Sequence, residues 1–313
     1  MQKIIKLLSF YVRILFGKCY FHLPQGIGKA FKPDKLEGYF SDMTGKINWQ
    51  GLLDEDGIPV NQLFDGSTCY FPITIAQKAL GHYDKYLLEN DKEDLKEFIK
   101  ICDWLVKMQD EKGGWEIKDI LNLTENSKYS AMSQGEAISV LARAWKLFHN
   151  EKYIRTAEKA YNLMVTPVEN GGTAYFRNNG GIYLEEFPTI RKNTILNGWI
   201  FALFGIHDLC LATDNEVYKK YFNQSYQTLL NNLHIFDAGF WSYYDEKKAV
   251  ASPFYHNLHI SQLEALYLVK NDEKTKNYIE KWQGYRRSVL KRYCAFIIKA
   301  FQKMRKPYPA FLD

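Results

Sequence analysis

Apolar residues return at helical spacing along most of this sequence. Leu95, Phe98, Ile99, Cys102, Leu105 and Val106 fall at i, i+3, i+4 and i+7 intervals, which puts them on one face of a helix. Segments near 71–89, 133–149, 152–165, 194–212, 215–233, 257–269 and 273–303 share this length and pattern, with Gly, Asn and Asp between some of them. Strand signals are brief and sit at glycines: GGWEIK from 113, GGTAYF from 171 and GFWSYY from 239. A pair of helices followed by a short extended loop buries its apolar face only against a neighbouring copy of the same unit. The pattern predicts a mainly α fold, an (α/α) toroid: an incomplete α/α barrel of helical hairpins, with short β-hairpins and loops around a central cleft. Loops at one end of such a fold converge, so residues distant in sequence meet one substrate.

No Gly/Ser-rich linker interrupts residues 45–285, which read as one domain, preceded by a segment 1–44 and followed by a tail 286–313. The start, MQKIIKLLSFYVRILFGK, spaces Lys3, Lys6, Arg13 and Lys18 among Ile, Leu and Phe. Its apolar run is shorter than the ~20 residues a membrane span needs, and no small-residue cleavage site follows. It fits an amphipathic helix on an anionic membrane, and equally a helix packed on the protein's own core. From Arg286 to Lys306 there are eight Lys/Arg and no acid, with Val289, Leu290, Tyr293, Phe296, Ile297 and Phe301 at helical spacing. Such a basic face is usually a solvated surface, but two of them at opposite ends favour a membrane surface.

The 46% hydrophobic content supports a substantial core. The 22 Tyr and 7 Trp suit either a core or a sugar-binding surface, since each ring buries area yet keeps a polar handle. A net charge of +5 gathered at the two ends, without a nucleic-acid motif, argues against DNA or RNA as partner. Cys19, Cys69, Cys102, Cys210 and Cys294 lie far apart without a CxxC pair and read as free thiols of a reducing compartment. With the basic ends, they predict a cytoplasmic protein peripheral to the inner membrane surface.

The chain has no GxGxxG, P-loop, GxSxG or HExxH, so nucleotide-dependent, serine-hydrolase and zincin readings lack their motifs. His256 and His259 could share a helix face, yet no carboxylate or cysteine near them in sequence completes a metal shell. No metal is expected there, and the pair reads as hydrogen-bonding or substrate-binding. Three polar-aromatic clusters remain, all read as loops: EEFPT at 185–189, WSYYDEKK at 241–248 and FYHNLH at 254–259. Carboxylates, phenols, imidazoles and ammonium groups together suit proton transfer on an acidic sugar. They equally suit core tyrosines with tethered hydroxyls and solvated loop charges.

These clusters, with DGIPV (56–60), YFPITIAQKALGHY (70–83), YSAMSQGEAISVLARAW (129–145) and ILNGWIFALFGIHDL (195–209), resemble the C-terminal catalytic domain of the D-glucuronyl C5-epimerases. Those enzymes convert glucuronate to iduronate in heparosan-type chains. The resemblance implies a helical toroid, no redox cofactor, a glucuronate-containing polysaccharide as partner, and often a homodimer. It also implies a preceding β domain with a calcium site; with about 45 residues before the match, that domain is not expected in this sequence. Carried over by motif, Glu186 and Tyr255 become the proton-transfer pair and Tyr244 a supporting catalytic tyrosine. Lys247, where animal enzymes have Arg, becomes the leading cation for the substrate carboxylate, ahead of Arg143 and Arg191. Glu185, Phe187, His256, His259, Tyr129, Gln134 and Asn197 complete the expected substrate contacts. One departure stands out: the family tyrosine after the paired glutamates is Phe187 here, a lost hydroxyl that Tyr183 or Tyr243 would have to replace in space.

The expected reaction is C5 epimerisation of D-glucuronate to L-iduronate. A polysaccharide lyase, which begins with the same proton abstraction, and a non-catalytic glycan-binding protein are the rival readings. Because Pro188 biases Phe187 toward extended backbone, alternation would turn Glu185 and Glu186 to opposite sides.

Overall fold

The computed structural model describes residues 23–63, 66–117, 128–177, 180–188 and 192–305. Four helical hairpins follow one another: α1 (Pro72–Glu89) with α2 (Lys92–Met108), α3 (Ala131–Phe148) with α4 (Glu151–Val165), α5 (Leu196–Thr213) with α6 (Glu216–Asn232), and α7 (Pro253–Lys270) with α8 (Glu273–Arg287). A ninth helix, α9 (Val289–Arg305), closes the described chain. All four hairpins turn in one way. Asn90, His149, Asp214 and Asn271 take positive φ of 47–56° at the end of the first helix, and the next residue, Asp91, Asn150, Asn215 or Asp272, caps the second with its side chain.

α1, α3, α5 and α7 are the inner helices, and each hairpin returns the chain so that all four run the same way. α3 and α5 cross with their backbones in contact: a methyl group added at Gly135 would lie 2.6 Å from the Ala202 Cα. α5 is long and apolar enough to span a bilayer, but 83% of it is buried, as the central helix of this core. The outer helices present one apolar face inward and charge outward, as Phe98, Ile101, Cys102 and Leu105 of α2 show.

The segment expected to stand apart as 1–44 does not do so in its described part. Tyr39, Phe40 and Met43 are core residues, and residues 25–43 cross the far ends of the inner helices. The Tyr39 N–H donates to Asp84 of α1 (2.8 Å), Phe40 stacks on Phe204 of α5 at 3.7 Å, and the Ser261 hydroxyl of α7 donates to the Gln25 carbonyl (2.9 Å). Arg143 of α3 donates to the carbonyls of Glu37 and Gly38. At the other boundary, residue 285 lies inside α8, and the helix expected over 273–303 breaks at Ser288. That residue is extended (φ −77°, ψ 114°) and its hydroxyl accepts from the Lys291 N–H.

Strands are few. β1 (Leu52–Leu53), β2 (Pro59–Gln62) and β3 (Thr68–Cys69) make a small antiparallel sheet, and β4 (Ala174–Phe176) pairs with β5 (Ile182–Leu184) in the register Tyr175↔Tyr183. Only the second of the three expected strand signals forms a ladder. The first is a turn pinned by the Trp115 indole donating to the Leu105 carbonyl, and the third makes only isolated bridges, Asp237↔Ser242 and Tyr243↔Val250.

Candidate active site

Because the inner helices are parallel, their N-termini and the loops entering them share one end of the toroid, and the polar motifs lie there. The β4–β5 hairpin delivers the paired glutamates, anchored where the Ala131 N–H at the start of α3 donates to the Glu185 carbonyl (3.0 Å). The 242–250 loop is tied to the start of α5: Leu196 N–H donates to the Tyr244 carbonyl (3.1 Å) and Glu246 N–H to the Thr194 carbonyl (3.1 Å). Tyr255 sits in the first turn of α7, whose N-cap is Ser252. The FYHNLH cluster is therefore helical rather than a loop, because Pro253 at the first position starts α7 earlier than expected.

Glu185 and Glu186 diverge. Glu186 lies against the backbone of Gly198 so closely that any side chain there would collide with it, which accounts for the glycine of LNGW. Burial alone pushes its carboxyl up to about 8, and Oε2 has no hydrogen-bond partner among the described residues. Tyr244 stands beside it. Its phenol is held well above the ordinary tyrosine value, first by burial and then by the charge of Glu186, and it hydrogen-bonds Tyr255. The two tyrosine rings meet edge to face at 4.8 Å. A carboxyl group and two phenols thus form one cluster at the end of the toroid where the inner helices begin.

Glu185 turns into a second cluster. Its Oε1 accepts from the Thr194 hydroxyl (2.6 Å) and lies 3.8 Å from the Lys192 ammonium. Burial raises this carboxyl to about 7, against the lowering influence of Lys192. Lys192 is bound to Glu246 at 2.6 Å and sits 3.8 Å above the Tyr183 ring, and burial draws its pKa down. Tyr183 therefore belongs to the Glu185 side and does not replace the hydroxyl missing at Phe187. Tyr243 is held by its backbone between Phe236 and Val250. Phe187 itself packs against the core, half-buried.

Between the inner helices runs a set of buried polar side chains, several of which the sequence reading passed over. Gln77 of α1 donates to Glu136 of α3 (2.9 Å), and Glu136 is held well above the usual carboxylate range, first by burial and also by Glu186 nearby. Gln262 of α7 donates to the Asn197 carbonyl of α5 (3.1 Å). Gln134, Glu136, Asn197 and Gln262 each keep at least one side-chain polar atom without a hydrogen-bond partner among the described residues. Buried polar atoms left this way carry a free-energy cost, and on helices around Glu136, which Glu186 influences, and Asn197, next to the Gly198 that Glu186 touches, they suit a polyhydroxylated ligand. The signal in the sequence was polar residues on otherwise apolar inner helices.

Other sequence candidates are placed elsewhere. Arg143 is only 1% exposed, paired with Asp208 at 2.5 Å, and its remaining donors go to the Ser139, Glu37 and Gly38 carbonyls. It joins α3, α5 and the 25–43 segment and is not a substrate cation. The Lys247 side chain is exposed while its backbone N–H donates to Asn193, so the expected leading cation lies on the rim. Tyr129 donates its hydroxyl to Asp110 (2.6 Å), and the same carboxylate accepts from the Lys112 and Gly114 N–H groups, so it fastens the turn before α3. His256 and His259 do share a face, as their spacing implies, but both bind the Ser242 hydroxyl (2.8 and 2.9 Å) behind Tyr244. His256 stacks on Trp241 at 3.7 Å and contacts the Trp282 carbonyl. Burial lowers His256 to about 4 and holds His259 well below the ordinary imidazole range, so both are neutral supports of the 242–250 loop. Arg191 lies outside the described residues. Two lysines not singled out beforehand approach the cluster: Lys46, whose charge acts on Glu136, and Lys299 of α9, 5.9 Å from the centre of the Tyr244 ring.

Residues 109–284 match the family described as D-glucuronyl C5-epimerase C-terminus. Over 215 residues the chain is 30% identical to the D-glucuronyl C5-epimerase of Caenorhabditis elegans, covering 60% of this chain and 34% of that enzyme. An uncharacterised protein of Methanocaldococcus jannaschii is 29% identical over 156 residues, 49% of this chain and 51% of the other. The chain thus spans between about a third and a half of these curated relatives. Among solved structures, a sugar epimerase from a ruminal bacterium is similar with a TM-score of 0.51 at 15% identity, over 76% of this chain and 66% of that one. A D-mannose isomerase gives the same TM-score at 12% identity, over 81% and 68%. These two likenesses establish the α/α toroid fold. The family match covers more than half of the chain and takes in both glutamates, both tyrosines and Gly198, so this chain belongs to the D-glucuronyl C5-epimerase C-terminal family.

Proposed function

We propose that this chain is a carbohydrate epimerase that inverts C5 of D-glucuronate residues in a heparosan-like or other glucuronate-containing polysaccharide, giving L-iduronate. The observation that carries this reading is the placing of a buried, partner-poor Glu186 beside the hydrogen-bonded Tyr244–Tyr255 pair. A carboxyl near 8 is about one-tenth ionised at pH 7. Its ionised form is a stronger base than an ordinary carboxylate and takes the carbon-bound proton, while the Tyr244 phenol, held well above its ordinary value, stays protonated and hydrogen-bonds Tyr255.

Glu186 takes the C5 proton, the C5–H electron pair moves into an enolate delocalised over the C6 carboxylate, and Tyr255 returns a proton to the opposite face. Oxidation state does not change, so the step itself consumes no redox equivalent. Tyr244 hydrogen-bonds Tyr255 and spreads the negative charge that develops when that phenol gives up its proton. The substrate carboxylate must be neutralised before C5 can be deprotonated. We assign this to Lys46, whose charge acts on Glu136, and Lys299, which approaches the Tyr244 ring, in place of the exposed Lys247. Gln134, Asn197 and Gln262 supply donors and acceptors for the sugar hydroxyls.

The test is deuterium incorporation from solvent at C5 of a panel of glucuronate polymers. Wild type should incorporate label and form iduronate without chain cleavage, and Glu186→Gln and Tyr255→Phe should each abolish incorporation while unfolding cooperatively. Ultraviolet-absorbing unsaturated ends would replace epimerase by lyase. Polymer binding without exchange would make Phe187 the mark of a glycan-binding protein.

A further inference from the structure

We propose that α9 docks the protein on an anionic lipid bilayer, with the catalytic loop held beside the lipid surface. Val289, Leu290, Tyr293, Phe296, Ile297 and Phe301 are all more than half exposed, and their spacing puts them on one side of the helix. On the other side, Ala295 is fully buried and Gln302 reaches the protein: the Val250 N–H donates to its Oε1 (3.0 Å) and its Nε2 to the Lys248 carbonyl (3.4 Å). Ala295 is also the only hydrophobic residue of α9 that the described core includes. So large an outward apolar area on a surface helix is the pattern of a helix lying at an interface.

Charge selects the occupant. Residues 286–306 hold eight Lys/Arg and no acid. A second copy docked through this face would set basic rows against each other, whereas an anionic bilayer meets the charge and takes the apolar stripe together. The inner side of the helix ties this surface to the site, because Gln302 contacts the 248–250 loop and Lys299 approaches the Tyr244 ring. A polymer held close to a membrane would thus meet the catalytic end of the toroid. Docking needs no substrate, so this inference and the epimerase reading fail or stand separately.

Vesicle co-sedimentation tests it with the full chain and its variant carrying Leu290→Gln, Phe296→Gln and Phe301→Gln. These are exposed positions outside the catalytic cluster, and circular dichroism checks the fold. The full chain should sediment with phosphatidylcholine–phosphatidylglycerol vesicles, and roughly tenfold or more weakly with phosphatidylcholine alone or with the variant. Added salt should release it by screening. No sedimentation, equal binding to neutral vesicles, or a dimer in solution that the variant abolishes would each overturn the proposal. Unchanged binding of the variant would also overturn it and transfer docking to another segment, such as the basic start of the chain.

Discussion

Replacing Glu186 by Gln should remove activity and at the same time stabilise the protein at alkaline pH. In the folded state the carboxyl titrates near 8, against an ordinary 4.5. Below pH 4.5 both folded and unfolded chains carry the proton, and this residue leaves stability unchanged. Between 4.5 and 8 the unfolded chain loses the proton first, so the folded state binds more protons and stability falls as pH rises. Above 8 both states are ionised and the deficit is constant. At about 1.36 kcal/mol per unit, the deficit is at most about 5 kcal/mol, and relaxation around an ionised carboxylate would bring it toward about 2 kcal/mol. Gln keeps the shape beside Gly198 without the charge. Glu185 and Asp84, both raised to about 7 mainly by burial, add a slope of the same sign in both proteins and largely cancel in the comparison.

Urea unfolding at pH 5, 7 and 9 reads this directly. The two proteins should be within about 1 kcal/mol of each other at pH 5, and the Gln variant more stable by about 2–5 kcal/mol at pH 9. A constant offset across the series, or a Gln variant less stable at pH 9, would refute the reasoning. Either result would mean that the carboxyl is hydrated or paired in solution and does not keep its proton through burial.

Arg143→Met should cost about 3–5 kcal/mol of stability, since it strands the buried Asp208 charge. Its KM for polymer, measured well below the melting temperature, should stay near wild type, and a selective rise in KM would return Arg143 to the substrate. Lys247→Met should leave exchange within about twofold of wild type, while Lys299→Met should raise KM by tenfold or so through loss of a charge partner worth ~1–2 kcal/mol; steady-state kinetics on a glucuronan separates them. Tyr129→Phe should lower thermal stability by about 1 kcal/mol through the lost bond to Asp110 and keep most exchange activity, measured by calorimetry beside the labelling assay.

Much of the fold was legible because the inner and outer helices differ in pattern and the same turn closes every hairpin. Asn90-Asp91, His149-Asn150, Asp214-Asn215 and Asn271-Asp272 each join a residue that tolerates positive φ to one whose side chain caps the next helix. That dipeptide is a stronger marker of the repeat than the glycine-aromatic turns, of which only one built a strand pair. The site was legible where a motif fixed position through contact with backbone: Glu186 needs Gly198, and EEFPT and LNGW are two halves of that single contact. It was not legible where the role depends on which partner a charge finds in space. Arg143 and Lys247 looked equally available as cations, yet Asp208 and three carbonyls absorb the first and solvent surrounds the second. Glu136 and Glu186 show the converse. Both are buried carboxyls close enough for the charge of Glu186 to act on Glu136, but Gln77 bonds Glu136 from α1, while Glu186 has no lowering influence on its proton and stands beside Tyr244. Where a buried charge has a partner it holds helices together. Glu186, whose Oε2 lacks one among the described residues, is the group to which the proposed reaction gives the proton exchange.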